Sequence, residues 1–335
     1  MKLPTPYDAV QTKLSVVWWI GIALAGVLLI GTAEACLRSA GFESGPHDDD
    51  LFWAQHRLSV DTLGKKSVVI LGSSRCQADV IVDQLSQSLS RQVVQLGIAG
   101  ASPLPVLEDL AKSEYTGLVV LSVSPQHVFS DSVQRTGKSR DWVARYREVA
   151  SSPGERIELR ISLAARDMAV LRQDFNWRTV VNRYVLAGET APRENWAHET
   201  RWARFPDVMK GNRRGVKVPI PQVDQSLEGR EALIRRFRVA IELIAQRGGQ
   251  TIIVRPPSTG ADYATIGLVD TEKQFMPRTD FYDRLVRACD VPAYHADDIT
   301  ELAGLYGADG SHLCESDAAT FTAWLSTVIH GMSAS

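Results

Sequence analysis

The stretch SVVILGSSRCQADV, residues 67–80, decides the fold of this chain of 335 residues. An apolar, β-branched run leads into Gly-Ser-Ser, and a helix-length segment follows, so the stretch predicts a buried strand that turns into a helix. Similar apolar runs recur at the four segments 92–97, 117–123, 251–255 and 293–296, each beside a helix-length segment. Strands that alternate with helices predict a parallel sheet covered by helices on both faces.

The N-terminal region predicts a membrane anchor. Residues 14–33, LSVVWWIGIALAGVLLIGTA, form a run of 20 residues without a charge; as a helix they would span about 30 Å, the thickness of the hydrocarbon core of a bilayer. Two lysines precede the run and a single arginine follows it closely, so residues 1–13 are expected in the cytoplasm and the rest of the chain outside the inner membrane, in the periplasm. A cleaved signal sequence is the alternative, but its apolar region has only about 7–15 residues.

After the predicted transmembrane helix, residues 34–64 are polar and turn-rich and are expected to be a linker with at most one short helix, so the folded domain should cover residues 65–335. Between the third and fourth strands, residues 134–225 form an insertion without clear strand signals. From residue 134 to residue 217 it contains 18 Lys and Arg against 10 Asp and Glu, and residues 134–225 hold four of the eight tryptophans, Trp142, Trp177, Trp196 and Trp202. This composition suits an anionic glycan, a phospholipid surface or a partner protein. A solvated helical cap whose tryptophans form its core would look the same.

Composition excludes some functions and leaves others open. The net charge of −2 favours no class of partner, and nucleic acid is not expected for a periplasmic domain. The four cysteines, Cys36, Cys76, Cys289 and Cys314, include no pair at metal-ligand spacing, so no metal is implied. The stretch GIAGAS, residues 97–102, is too short for a nucleotide-binding loop.

Two separated segments together predict a serine nucleophile. Ser73 and Ser74 follow the first strand, at the edge of a parallel sheet where reactive groups collect, although either serine could simply cap the next helix. Near the C-terminus, YGADGSHL places Asp309 three residues before His312. A hydroxyl nucleophile needs a base, and the base needs a group that fixes its tautomer. Histidine and aspartate supply both functions, and this chemistry implies no organic cofactor.

These residues resemble the SGNH (GDSL-like) hydrolase and acyltransferase superfamily over about residues 67–125 and 251–329. The resemblance implies a flavodoxin-like, three-layer α/β/α domain with a parallel sheet, here behind one N-terminal transmembrane helix and with a helical insertion. It makes Ser74 the nucleophile, with Ser73 in place of the usual aspartate of the first block. It also makes His312 the base, Asp309 its orienting acid, and Gly100 an oxyanion-hole residue beside the Ser74 amide.

The third block departs from the family pattern. Where the family has Gly-x-Asn-Asp, this chain reads Ser-Val-Ser-Pro, so Ser124 takes the place of the asparagine that donates to the oxyanion. Losing such a donor typically costs about 10²–10³ in turnover, which weakens the expectation of efficient hydrolysis. Arg75 and His127 stand beside these blocks and could bind substrate; a solvated arginine and a surface or core histidine are the alternatives.

Membrane-anchored, extracytoplasmic relatives with a loose Gly-Ser-Ser block look like proteins that O-acylate exported polysaccharides or D-alanylate wall polymers. The resemblance therefore implies a serine esterase or O-acyltransferase that acts on acyl esters, such as acetyl esters, of envelope or exported carbohydrate through an acyl-serine intermediate. Other envelope polysaccharide-biosynthesis proteins would be its partners. The alternative is a catalytically weak carbohydrate-binding or assembly protein that docks a partner through residues 134–225.

Overall fold

The structure is a computed structural model that describes residues 6–39, 48–129, 133–166, 168, 170, 196–197, 202–203, 226–257, 276–305 and 312–333. The chain forms two compact units. The smaller unit comprises Met1–Gly45 and Arg160–Glu194, and the larger comprises Pro46–Leu159 and Asn195–Ser335.

The larger unit is built on short strands that alternate with helices, as the apolar runs predict. In chain order the strands are β1 (Ser67–Leu71), β2 (Gln92–Gln95), β3 (Leu118–Ser122), β4 (Trp196–Ala197), β5 (Trp202–Ala203), β6 (Gln250–Arg255) and β7 (Ala293–His295). Among the described residues, the α-helices are α1 (Pro6–Ser39), α2 (Asp50–Leu63), α3 (Ser74–Asp79), α4 (Val82–Leu89), α5 (Leu104–Lys112), α6 (Pro125–Val128), α7 (Val133–Ser151), α8 (Pro153–Arg166), α9 (Leu227–Gln246), α10 (Tyr282–Cys289) and α11 (Glu315–Ser333).

The main sheet has the order β2-β1-β3-β6-β7, and all its neighbouring strands are parallel. This is the flavodoxin-like strand order, so the predicted fold class is confirmed. Because the strands are parallel, their carboxyl ends share one edge, and residues that follow β1 and β3 come together there. The register pairs Leu71 with Leu121, the last and second-last residues of these two strands.

Alternate residues of each central strand face opposite sides of the sheet and form two cores. Val69 and Leu71 pack with the helices of the first side, while Val68 and Ile70 pack with those of the second side. We call the first set the α2 layer; it contains α2, α5, α7, α9 and α10. We call the second set the α11 layer; it contains α3, α4 and α11.

Two expectations about domain boundaries differ from the structure. Residues 34–64 were expected to be a linker, but they contain α2, which buries Trp53, Ala54 and Val60 in the core of the α2 layer. The apolar residues of α2 recur at helical spacing among polar ones, so one face packs while the other stays in water.

The insertion is helical at its start, but it also holds the antiparallel pair β4–β5, whose tryptophans favour extended backbone.

In the smaller unit, α1 contains the stretch Val16–Ser39, which is long and apolar enough to cross a membrane. A signal sequence would meet the same criterion. The large apolar side chains of α1 are exposed, among them Trp18, Trp19, Leu28 and Leu29. Near the end of the helix, the Glu34 carboxylate accepts hydrogen bonds from the Arg38 guanidinium and from the backbone N–H of Val170.

Candidate active site

A serine and a histidine from distant parts of the sequence are in hydrogen-bond contact at the carboxyl edge of the sheet. The Oγ atom of Ser74 lies 2.8 Å from Nε2 of His312, and both side chains are partly buried. Ser74 is the first residue of α3, and the N-cap position belongs to Ser73, whose side chain makes no capping hydrogen bond. The hydroxyl of Ser74 is therefore bonded to an imidazole and is not the cap of the helix.

Close packing at the end of β1 explains the glycine before these serines. A Cβ atom on Gly72 would lie 2.8 Å from the sulfur of Cys76 and 3.0 Å from both Cβ and the carbonyl oxygen of Ser122. Such distances are too short for a side chain, so β1 and β3 can approach here only with glycine at this position. The chain then turns directly into α3, with Ser74 at the sheet edge.

Two buried glutamines hold α3 against the loop that follows β2. The Gln95 side chain donates to the carbonyl oxygen of Cys76 at 2.6 Å and accepts from the N–H of Gly97 at 2.8 Å. The Gln77 side chain donates to the carbonyl oxygen of Gly97 and to the Asp48 carboxylate, both at 3.0 Å. Buried amides are stable only when they are hydrogen-bonded, so this network fixes the two backbone segments relative to each other.

Gly100 lies in the loop between β2 and α5. The N–H of Ala101 donates to the carbonyl oxygen of Ile98, and Gly100 has φ of 69°, as the third residue of a type II turn requires. A turn thus explains this glycine, and its oxyanion role stays a prediction. The neighbouring α7 holds the loop in place, because Lys138 donates to the carbonyl oxygen of Ala99 and Ser139 donates to that of Ser102.

Ser124 lies between β3 and α6, and β3 is the neighbour of β1, the strand that precedes Ser74. It is buried, and its carbonyl oxygen accepts from the backbone N–H groups of His127 and Val128. His127 and Arg75 are also buried, with 8% and 6% of their surface exposed. Arg75 is therefore not a solvated arginine, and contact of either side chain with a substrate stays a prediction.

The proposed orienting acid, Asp309, lies outside the described residues, so its role as partner of His312 also stays a prediction. A different aspartate is visible beside the base. Asp79, the last residue of α3, is fully buried, and its Oδ1 atom accepts a hydrogen bond of 2.8 Å from the backbone N–H of Leu313. Nothing in the sequence marks Asp79, because a single aspartate near a helix end usually faces water.

The cysteines near the site are thiols. Cys76 and Cys314 are both buried and are not joined by a disulfide. Burial raises the pKa of the Cys76 thiol well above its ordinary value, and the negative charge of Asp79 acts in the same direction. Because only a thiolate is a strong nucleophile, Cys76 does not compete with Ser74. No cluster of metal-ligating side chains occurs among the described residues.

Part of the insertion reaches the site. The short strand β5 lies beside α3, the helix that begins with Ser74. Of the four tryptophans in the insertion, Trp142 on α7 is buried in the core and lies 6.1 Å from Trp53, ring centre to ring centre. For this residue the packing explanation is correct. The side chains of Trp177, Trp196 and Trp202 lie outside the described residues.

No family model matches the sequence. No curated protein matches it either. Two solved structures are similar to this chain at low identity. One is a carbohydrate acetylesterase family member from Sinorhizobium meliloti, with 12% identity, coverage of 80% of this chain and 98% of that chain, and a TM-score of 0.38. The other is TesA, with 10% identity, coverage of 78% and 97%, and a TM-score of 0.34. Because these identities and TM-scores are low, the functional inferences below depend on this chain's own residues.

Proposed function

We propose that this protein is a serine esterase or O-acyltransferase of the SGNH type, with Ser74 as nucleophile and His312 as general base. The hydrogen bond of 2.8 Å between Ser74 Oγ and His312 Nε2 is the observation that carries the proposal. A base must reach the hydroxyl proton before it can remove it, and this distance meets that requirement.

The proposed reaction has two steps. His312 takes the hydroxyl proton as Ser74 Oγ attacks the carbonyl carbon of an ester, and the tetrahedral intermediate places its negative charge on the former carbonyl oxygen. The protonated His312 then gives its proton to the leaving alcohol, which yields the acyl-serine. In the second step His312 activates water or a sugar hydroxyl, which takes the acyl group and restores Ser74. Asp309 would orient His312, and the amides of Ser74 and Gly100 with the hydroxyl of Ser124 would stabilise the oxyanion.

The test is burst kinetics on the purified full-length chain with p-nitrophenyl acetate, combined with intact-mass detection of the acyl-enzyme. We expect a burst and a mass increase that both disappear in Ser74→Ala. Ser73→Ala is the matched control, because it removes the adjacent hydroxyl, which caps nothing, and should keep the burst. A folded protein that shows neither burst nor adduct would contradict the proposal.

The proposed substrate is an acylated carbohydrate of the cell envelope. The position of β5 beside α3 supports a role for the insertion in binding it, since tryptophan stacks on sugar rings and basic residues pair with anionic sugars. Adding oligosaccharide acceptors to the acyl-enzyme separates the two reactions: a transferase passes the acyl group to the sugar, whereas an esterase releases the free acid at an unchanged rate.

We further propose that α1 anchors the protein in the inner membrane with the larger unit in the periplasm, alongside polysaccharide-biosynthesis proteins. The exposed apolar side chains of α1 support an anchor. Cys36 offers a direct test because it is exposed near the end of α1, whereas Cys76, Cys289 and Cys314 are buried. In spheroplasts, a membrane-impermeant maleimide should label the wild type and not Cys36→Ser. Labelling of Cys36 only after lysis would show that the larger unit lies in the cytoplasm.

The competing function is a carbohydrate-binding or assembly protein that retains the fold. Ser124 in the place of the oxyanion asparagine favours it, since a buried hydroxyl is a shorter and less fixed donor than an amide. A serine-directed phosphonate distinguishes the two functions. Covalent labelling at Ser74 supports the enzyme, and its absence in folded protein supports the binding function.

A further inference from the structure

The nucleophile and the base belong to two segments that meet along one line of contact. Ser74 begins α3, and His312 stands three residues before α11. Four of the hydrogen bonds that join α3, α4 and the turn between them to α11 and the residues just before it form a set that we call the α3–α11 seam. Its bonds are Leu313 N–H to Asp79, Ile81 N–H to Thr322, Gln84 to the Ala319 carbonyl oxygen, and Ser88 to Ser326.

The bond of Asp79 is the member of the seam nearest to the Ser–His pair. Its donor is the backbone N–H of Leu313, the residue directly after His312. The Leu313 side chain is also buried, so both the backbone and the side chain of this residue are held. One helix therefore presents the nucleophile at its first residue and fixes the backbone beside the base from its last residue.

Burying the Asp79 carboxylate costs free energy unless hydrogen bonds compensate for the lost hydration. A carboxylate without solvent contact loses its hydration and must recover that free energy from hydrogen bonds. A bond between a carboxylate and a backbone N–H is among the stronger hydrogen bonds in proteins. An apolar side chain of similar size could fill the space, but it would leave the Leu313 N–H without an acceptor.

We propose that Asp79 is a positioning residue that holds His312 at hydrogen-bonding distance from Ser74 through the backbone of Leu313. This inference rests on the proposed function, because it assigns Asp79 a part in the same reaction. A displacement of about 1 Å at a catalytic group can lower the rate about 10²-fold, so one backbone hydrogen bond can control turnover.

The test compares three variants of the full-length chain. Asp79→Leu removes the acceptor at similar volume and should lower kcat about 10²-fold with little change in KM. Asp79→Asn keeps an oxygen that can accept from Leu313, and it should restore most of the turnover. Thr322→Val is the matched control, since it removes another seam bond to a backbone N–H farther from His312, and it should leave kcat near the wild-type value.

The stability of each variant is measured alongside, so that a general loss of folding is recognised. Equal losses of kcat in Asp79→Leu and Thr322→Val would show that Asp79 has only a structural role, and would overturn the inference. So would full activity in Asp79→Leu.

A readout without turnover separates this inference from the proposed function. In wild type and variants, histidine-selective NMR follows the His312 ring, assigned with His312→Gln, and hydrogen exchange follows the Leu313 amide. Asp79→Leu should alter the His312 signals and speed exchange at Leu313, whereas Thr322→Val should change neither. If the wild type is inactive and shows no phosphonate adduct, the proposed function fails, yet these signals still decide whether Asp79 positions His312. Unchanged signals in Asp79→Leu would overturn the inference in either case.

Discussion

Within the two helical layers, different kinds of polar interaction join the helices to one another. In the α2 layer, Arg57 is almost fully buried and pairs with Asp109 at 2.9 Å and with Asp61 at 2.7 Å. Arg147 also pairs with Asp109, and the Tyr146 hydroxyl donates to Asp61. These side chains share partners, so removing one leaves several others unsatisfied. The four bonds of the α3–α11 seam instead join four different pairs of residues.

This difference has a consequence for the site. Interactions that share partners are strongly non-additive, whereas independent ones add up. The layer that contributes both Ser74 and His312 can therefore be changed one bond at a time, while the opposite layer keeps the domain folded. The two layers should accordingly respond differently to single substitutions.

The largest effect is expected in the α2 layer. Asp109→Ala leaves the charge of buried Arg57 without its buried partner and should lower the free energy of unfolding by about 3–5 kcal/mol. Arg147→Ala removes a side chain that is 55% exposed from the same carboxylate and should cost about 1 kcal/mol or less. Urea unfolding of the two variants measures both values, and equal losses would show that the network is not cooperative.

A smaller effect, felt at the site, is expected from Gly97→Ala. The added methyl would overlap the Cys76 sulfur on α3, so α3 must shift, at a cost of about 1–3 kcal/mol. We expect Ser74-dependent turnover to fall with it. Gly137→Ala is the control, because Gly137 lies within α7 with open space around its Cα, and alanine there should add about 0.5–1 kcal/mol of stability. Unchanged turnover in Gly97→Ala would show that α3 tolerates the shift.

The seam bond most distant from His312 should contribute least. Ser88 and Ser326 are joined by a hydrogen bond of 2.6 Å, and Ser326→Ala should cost about 0.5–1.5 kcal/mol without changing kcat. A double-mutant cycle with Ser88→Ala isolates the pair. A coupling free energy near zero would mean that water replaces the bond and that the seam is weaker than its geometry suggests.

A pH-dependent effect on stability is expected at α2. Burial lowers the pKa of His56 on α2 from 6.5 to about 4. The imidazole of His56 therefore binds a proton more readily in the unfolded chain than in the folded one. The contribution of neutral His56 to the free energy of unfolding is fully present above pH 6.5 and is lost as the pH falls toward 4. In His56→Phe this contribution is absent. The stability difference between variant and wild type should thus shift in favour of the variant over that range, and a constant difference would contradict the assignment.

Most of the fold could be predicted from the sequence because its strands are buried on both faces. The apolar run at residues 67–71 coincides with β1. The run at 251–255 is one residue shorter than β6 at its start, and the run at 117–123 is one residue longer than β3 at each end. The role of α2 could not be predicted. Its polar and turn-rich surroundings resemble a linker, and only the tertiary structure shows that Trp53 packs on the sheet and donates to the carbonyl oxygen of Leu96.

Candidate site residues could be predicted from the sequence where the proposed reaction requires a particular side chain. They could not be predicted where a residue only holds a backbone group in place. Serine and histidine were identified because nucleophilic catalysis needs them, and the structure brings Ser74 and His312 together. Asp79, Gln77 and Gln95 act on backbone groups, and any backbone offers such groups. No residue pattern therefore marks them in advance, and their partners become known only from the folded chain.

The order of the strands also affects how the protein is made. The centre of the sheet joins β3 to β6, two strands separated by the long segment between Ser122 and Gln250. During synthesis β1, β2 and β3 can pair early, but one edge of β3 stays open until β6 has emerged, and pairing over such sequence distances is slow. His312 emerges later still. A nascent or truncated chain can thus hold a nearly complete sheet with no imidazole beside Ser74, so the reactivity that we propose for Ser74 would report that folding has been completed.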